Sequence, residues 1–265
     1  MTTQSLDDVQ SRHDERNIML QRVGIKQLRY PMVFDDLGLT QHTHGLFDMT
    51  VQLPGDQKGS HLSRFTALLQ EYHARDSLVM SLELMPLWHK RMVSLLGSVH
   101  GCFSSSFVFY VEKSAPISHE HSLLDYKLTL TVDGPLNSPT TSFKLQVIAH
   151  SLCPCSKAIS KYGAHNQRSL ITVQAQTTHP FSIKALVSLI EQQASCELYN
   201  LLKRVDEKYV TEKAYEHPKF SEDIVRDVYQ AIKKEYPFLT QLHVESEHVE
   251  SIHTHNAYAS VHDSF

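Results

Sequence analysis

The sequence predicts an α+β fold in which antiparallel strand pairs carry paired helices. Three observations predict it: apolar residues alternate with period two in several segments, amphipathic helices occur in succession, and the order strand, strand, helix, helix, strand, strand is readable twice. The residues themselves do not repeat between the two copies.

Residues 1–22 are polar and acidic and read as an N-terminal arm, mobile or weakly helical. Gly24–Tyr30 and Gly45–Leu53 alternate as strands, and Pro54-Gly55-Asp56 closes the second. His61–His73 places Leu62, Phe65, Leu68 and Leu69 at helical spacing, and Ser77–Leu96 continues with Val79, Leu82, Leu87, Met92 and Leu95. Cys102–Glu112 and Leu123–Val132 return to alternation, and Asp133–Pro139 is a turn-rich break. Strands at Thr141–Ile148 and Ser169–Gln176, helices at Ser182–Cys196 and Ser221–Tyr236, and strands at Gln241–Glu250 and Ala257–Val261 repeat the order. The chain is thus expected to be one integrated catalytic domain of two ββααββ units, 23–138 and 139–265, with an insertion at 197–218. Sheets of this kind have open edges, and pairing them between subunits into a barrel removes that liability.

Composition narrows the class. A chain of 265 residues, 41% hydrophobic and 20% charged, can bury the core of an ordinary globular enzyme. Its formal net charge of -4 argues against general nucleic-acid affinity, which rests on Lys and Arg neutralising phosphates. No run approaches the roughly 18 apolar residues that span a bilayer, and Met1–Arg16 has no secretory pattern. Cys102, Cys153, Cys155 and Cys196 do not make a disulfide framework, so a reducing cytoplasm is the expected location.

The densest chemistry lies in Ser151-Leu-Cys-Pro-Cys-Ser-Lys157 and His165-Asn-Gln-Arg-Ser169. Pro154 lacks an N–H and predicts a strand end or turn that leaves both sulfurs free to face one pocket. A structural zinc site would use C-x2-C spacing and a second Cys pair, both missing here. One thiolate and one imidazole are half of a catalytic metal site, and Glu250-Ser-Ile-His253-Thr-His255 supplies further donors. Glu207 and Glu222 read equally well as surface carboxylates, the latter favoured at a helix start. Lys58-Gly-Ser-His-Leu-Ser-Arg64 enters a helix and offers either a plain capping segment or an anion cradle, with Lys157 and Arg168 as cations beside the thiols.

Gly59-Ser-His-Leu-Ser-Arg-Phe65, the two motifs above and Glu250-Ser-Ile-His-Thr-His-Asn-Ala257 together closely resemble the prokaryotic type IB GTP cyclohydrolases. The resemblance spans nearly the whole chain after the arm. It implies the tunnelling fold (T-fold), with tandem ββααββ units assembling into inter-subunit β-barrels, a homotetramer with active sites between subunits. It also implies conversion of GTP and water to formate and 7,8-dihydroneopterin triphosphate, using a water activated by zinc, manganese or iron(II) at guanine C8. By the same resemblance Cys153, His165, Glu207 and His253 would surround the metal, Cys155 and Glu222 would handle protons, and Glu250 would anchor guanine. His61, Ser63, Arg64, Lys157, Arg168 and His255 would meet the triphosphate. Competing readings are an archaeal-type cyclohydrolase giving a cyclic phosphate, a nitrile reductase with a nucleophilic Cys, and a non-catalytic zinc-binding assembly protein.

Overall fold

The computed structural model describes residues 8–75 and 78–263. Residues 1–7 of the expected arm, and Ser77, where the second helix was expected to start, lie outside them. The chain divides into two units: Met1–Asp35, His42–Phe107 and Leu130–Thr141 form one, and Asp36–Gln41, Val108–Thr129 and Ser142–Phe265 the other.

In the first unit the strands run in the order β3-β1-β2-β4-β5, from β1 (Leu20–Asp36), β2 (Leu39–Leu53), β3 (Val79–Met80), β4 (His100–Ser114) and β5 (His121–Pro135). Its helices are α1 (Leu62–Arg75) and α2 (Met85–Leu95). Strict alternation along β2 buries Phe47, Met49, Val51 and Leu53. Phe103 on β4 meets Phe47 at 5.9 Å and stacks with Trp88 of α2 at 6.2 Å between ring centroids. Gly101 permits that approach, because a Cβ there would lie 2.6 Å from Val93 Cγ2 of α2.

The expected helix from Ser77 is corrected at its start. Val79 and Met80 pair in parallel with Val33 and Phe34. The Val33 N–H donates to Leu78 O at 2.8 Å and the Trp88 Nε1–H to Val79 O at 3.0 Å, which holds this segment extended. Ser81 Oγ then accepts from the Leu84 N–H, and Pro86 in the first turn sets the start of α2. β1 begins at Leu20, earlier than alternation predicted, because its outer half is largely exposed and carries no apolar period.

In the second unit the order is β4-β5-β6-β7-β8-β9, completed by β6 (Thr140–Leu152), β7 (Asn166–Thr177), β8 (Thr240–Val249) and β9 (Ala257–His262). Its helices are α3 (Pro154–Ile159), α4 (Ile183–Glu191), α5 (Arg204–Glu216) and α6 (Ser221–Glu235). Ile224, Val225, Val228 and Ile232 make the buried stripe by which α6 packs on β8, β9 and α4. Asp36 caps α4, accepting from Ile183 N–H at 2.8 Å and Lys184 N–H at 2.9 Å. The insertion holds α5, tied down by buried Asp206, which accepts from the N–H groups of Ile117, Ser118 and Lys203, each at 2.9 Å. Among the described residues no helix is long and apolar enough to cross a membrane.

Candidate active site

The Cys-Pro-Cys segment, expected at a strand end or turn, follows the end of β6 at Leu152 and begins α3. Cys153 is extended at the N-cap, and its sulfur accepts from the Ser156 N–H at 3.4 Å. Pro154, with its fixed φ, suits the first turn. The Cys153 N–H donates to His165 O at 3.1 Å and the His165 N–H to Ser156 Oγ at 3.2 Å, which joins the two motifs by their backbones. Cys155 is exposed in the first turn of α3.

From His165 the chain enters β7, and its register with β8 assembles the rest. Ser169 opposes His248 and Arg168 opposes Val249, so Gln167, Ser169 and His248 share one face. His165 Nδ1 lies 3.0 Å from Gln167 Oε1 and 3.9 Å from Glu250 Oε2. The Gln167 amide nitrogen lies 3.4 Å from His248 Nδ1, as does Ser151 Oγ, and Ser169 Oγ–H donates to Ser151 Oγ at 2.7 Å. His165 and Glu250 side chains retain only 14% and 10% of their exposure, and His248 is 2% exposed. His248 Nε2 and Glu250 Oε2 are buried with no hydrogen-bond partner among the described residues.

Electrostatics follow from that burial. Desolvation lowers the His248 pKa, opposed by the charges of Glu250 and Glu222, and keeps the ring neutral at pH 7. Glu222, in the first turn of α6, has its pKa lowered by its own backbone N–H and by Ser221, whose hydroxyl donates at 2.9 Å. It is therefore an anion at neutral pH and suits a base or charge-stabilising role. The sequence motifs did not single out His248 or Gln167 as functional residues. The available signal was period-two alternation, which puts His248 two residues from Glu250 on β8 and Gln167 two residues from His165.

The other expected residues are placed differently. Glu207 is exposed on α5, and His253 and His255 are exposed with their rings stacked at 5.1 Å. Among the described residues no three or more His, Cys, Asp and Glu side chains converge to hold a metal, so Glu207 and His253 are not brought to Cys153 and His165. The donor chemistry of the remaining pair nevertheless fits one. A thiol and an imidazole whose Nδ1 is engaged by Gln167 leave Sγ and Nε2 for a soft or borderline cation, beside a carboxylate oxygen without a partner. Lys157 donates to Tyr215 O and sits over that ring at 4.5 Å. Arg168 is exposed on the face of β7 opposite Gln167. In the first unit His61 Nε2 lies 3.8 Å from Asp8 Oδ2, while Ser63 and Arg64 are exposed in the first turn of α1.

A large antiparallel sheet with helices, and a buried carboxylate among histidines at its strand ends, define a tunnelling-fold protein. Uricase from Arthrobacter globiformis shares the fold, with a TM-score of 0.58 at 7% identity over 92% of this chain and 93% of that one. The family model for type I GTP cyclohydrolase folE2 matches residues 6–259. "GTP cyclohydrolase FolE2" of Dichelobacter nodosus is 45% identical over 264 residues, covering 98% of both chains. Its counterparts in Bordetella pertussis and Neisseria gonorrhoeae are 47% and 46% identical over 257 residues, covering 97% of this chain and 96% and 98% of theirs. The chain belongs to the type I GTP cyclohydrolase FolE2 family.

Proposed function

We propose that this chain is a cytoplasmic, metal-dependent GTP cyclohydrolase, active as a homotetramer, that converts GTP and water to formate and 7,8-dihydroneopterin triphosphate at the head of tetrahydrofolate biosynthesis. The observation that carries this reading is the buried, unpartnered Glu250 oxygen beside His165, in a member of this family. Guanine presents N1–H and its exocyclic amine side by side, and a carboxylate accepts from both. Glu250 is desolvated for that task, so the pair of hydrogen bonds is charge-assisted and strong.

Opening the imidazole ring requires water to add at C8 and protons to reach the ring nitrogens as the C–N bonds break. Bound zinc, manganese or iron(II) supplies activation of that water. Cys153 and His165 would hold the ion, with Glu207 and His253 as the proposed remaining ligands. Glu222, an anion at neutral pH, accepts a proton, and the exposed Cys155 thiol delivers one. The triphosphate meets His61, Ser63, Arg64, Lys157, Arg168 and His255, contributed by more than one subunit. The two ββααββ units, 23–138 and 139–265, supply the edges for that assembly.

Protein reconstituted separately with zinc, manganese or iron(II) is incubated with GTP, and formate and an oxidised fluorescent pterin are measured. Both products are expected with at least one metal. No formate with any of the three overturns the function.

A further inference from the structure

We infer that the Gln167 side-chain amide is a positioning group that sets opposite tautomers in two histidines, making His165 a metal ligand and His248 a hydrogen-bond donor to the purine. The inference rests on the proposed cyclohydrolase reading for the identity of the ligand, and on the geometry of one buried cluster for the rest.

A primary amide has one accepting end and one donating end. Gln167 turns its oxygen to His165 Nδ1 at 3.0 Å and its nitrogen to His248 Nδ1 at 3.4 Å. His165 must then carry its proton on Nδ1, which leaves the Nε2 lone pair for a cation. His248 must carry its proton on Nε2, because Nδ1 accepts. A protonated Nε2 cannot ligate a metal, so the same amide that recruits one ring excludes the other.

The reverse amide orientation would exchange the two roles, and two neighbours oppose it. Glu250 Oε2 lies 3.9 Å from His165 Nδ1, where a carboxylate favours an N–H over a lone pair. Ser169 donates to Ser151, so the one Ser151 proton is shared between the Gln167 backbone carbonyl at 3.5 Å and His248 Nδ1 at 3.4 Å, and its second direction favours a lone pair on that nitrogen. The buried His248 Nε2 has no hydrogen-bond partner among the described residues. A buried N–H without an acceptor costs about 1–3 kcal/mol, and a purine nitrogen or oxygen held by Glu250 supplies that acceptor.

The test begins on unmodified protein labelled with 15N-histidine and loaded with zinc(II), read by two-bond 1H–15N correlation, with His248→Asn identifying the His248 signals. The expected spectrum has His248 protonated on Nε2 and His165 on Nδ1; the same tautomer in both, or the reverse pair, overturns the inference. Gln167→Glu keeps an acceptor for His165 and removes the donor to His248. It should leave the zinc Kd within about threefold while the His248 proton moves to Nδ1, and KM for GTP should rise at least about tenfold with a smaller change in kcat. Gln167→Leu should weaken zinc by about 10–100-fold, as loss of a partner to a ligating histidine does. Equal zinc affinity in the two variants overturns the inference, and if the leucine variant does not fold the wild-type spectrum and the glutamate variant decide it. The spectra and zinc affinities need no substrate, so wild-type protein that releases no formate would sink the cyclohydrolase reading while leaving the tautomer assignment separately tested.

Discussion

Glu250→Gln is the perturbation that separates guanine recognition from metal binding. The Glu250 side chain keeps 10% of its exposure and its Oε2 has no hydrogen-bond partner among the described residues, so the proposed anchor operates in a poorly hydrated site. Each hydrogen bond to a charged group in such a setting contributes about 1.5–3 kcal/mol. Glutamine retains one acceptor but turns an NH2 toward a guanine donor, so at least one charge-assisted bond is lost and a donor–donor contact replaces it. A net loss of about 3 kcal/mol corresponds to roughly a 100-fold fall in kcat/KM, at about 1.4 kcal/mol per factor of ten. Because guanine keeps N1–H and its amine until the ring has opened, the anchor binds ground and transition states alike, and KM should carry most of the change.

The assay compares formate release from GTP and from inosine triphosphate, which lacks the exocyclic amine. Wild-type protein should prefer GTP by about 10–100-fold, the worth of one such bond, and Glu250→Gln should reduce that preference to about threefold or less. Metal content is measured in parallel, because Glu250 Oε2 also lies 3.9 Å from His165 Nδ1. A variant that retains its metal and the wild-type preference for GTP would refute Glu250 as the purine anchor.

Cys153→Ala should lose the metal and Cys155→Ala should keep it while losing turnover, as read by metal analysis and formate release; equal metal loss in both would return the segment to a pair of ligands. Glu222→Gln should lower kcat by about 100-fold or more, as removal of a positioned proton acceptor does. Since the Glu222 pKa is lowered, the wild-type carboxylate loses its charge only as pH falls below the ordinary glutamate range, so any acid limb of the rate profile near pH 6 should persist in the variant's residual activity. Lys113 donates to buried Glu191 at 2.5 Å, and Tyr126 donates to the same carboxylate at 2.7 Å. Lys113→Met strands that carboxylate and should cost about 3–5 kcal/mol of stability, measured by urea unfolding, while Lys113→Met with Glu191→Leu should recover much of the loss.

Local pattern carried the fold where one face was buried and failed where burial was decided at a distance. The stripes Leu186, Val187 and Ile190 of α4 and Val225, Val228 and Ile232 of α6 are readable at helical spacing because each packs a single side. Val79 and Met80 fit a helical stripe equally well, and only the backbone of Val33 and the indole of Trp88 draw them into a strand. α3 has no apolar stripe; it depends on a cap at Cys153 and on Pro154. The site motifs were visible as a density of thiols and imidazoles, but His248 was one histidine among 18. What distinguishes it is its register opposite Ser169, a property of two strands 79 residues apart in sequence (248 − 169).

The placement of the cations bears on how an acidic chain takes up a triphosphate. Gln167 on β7, His248 on β8 and Glu250 just after β8 make up the proposed base-reading cluster, with Glu222 close enough for its charge to act on His248. Neither cation beside the thiols is aimed there: the Lys157 ammonium is held by the carbonyl and ring of Tyr215, and Arg168 projects from the opposite face of β7. Burying a phosphate tail among carboxylates without paired cations would cost more than the guanine anchor returns. The positive charge must therefore come from outside this strand face. The start of α1, with His61, Ser63 and Arg64 at exposed or half-exposed positions, has helix N-terminal amides and a guanidinium whose bond to Leu95 O, at 3.4 Å, leaves further N–H groups to offer. In the proposed tetramer a neighbouring copy would bring that segment to the tail, and base and phosphates would then be read by different subunits. Such a division would let the proposed catalytic face stay acidic, with the Glu222 carboxylate available as the proposed proton acceptor.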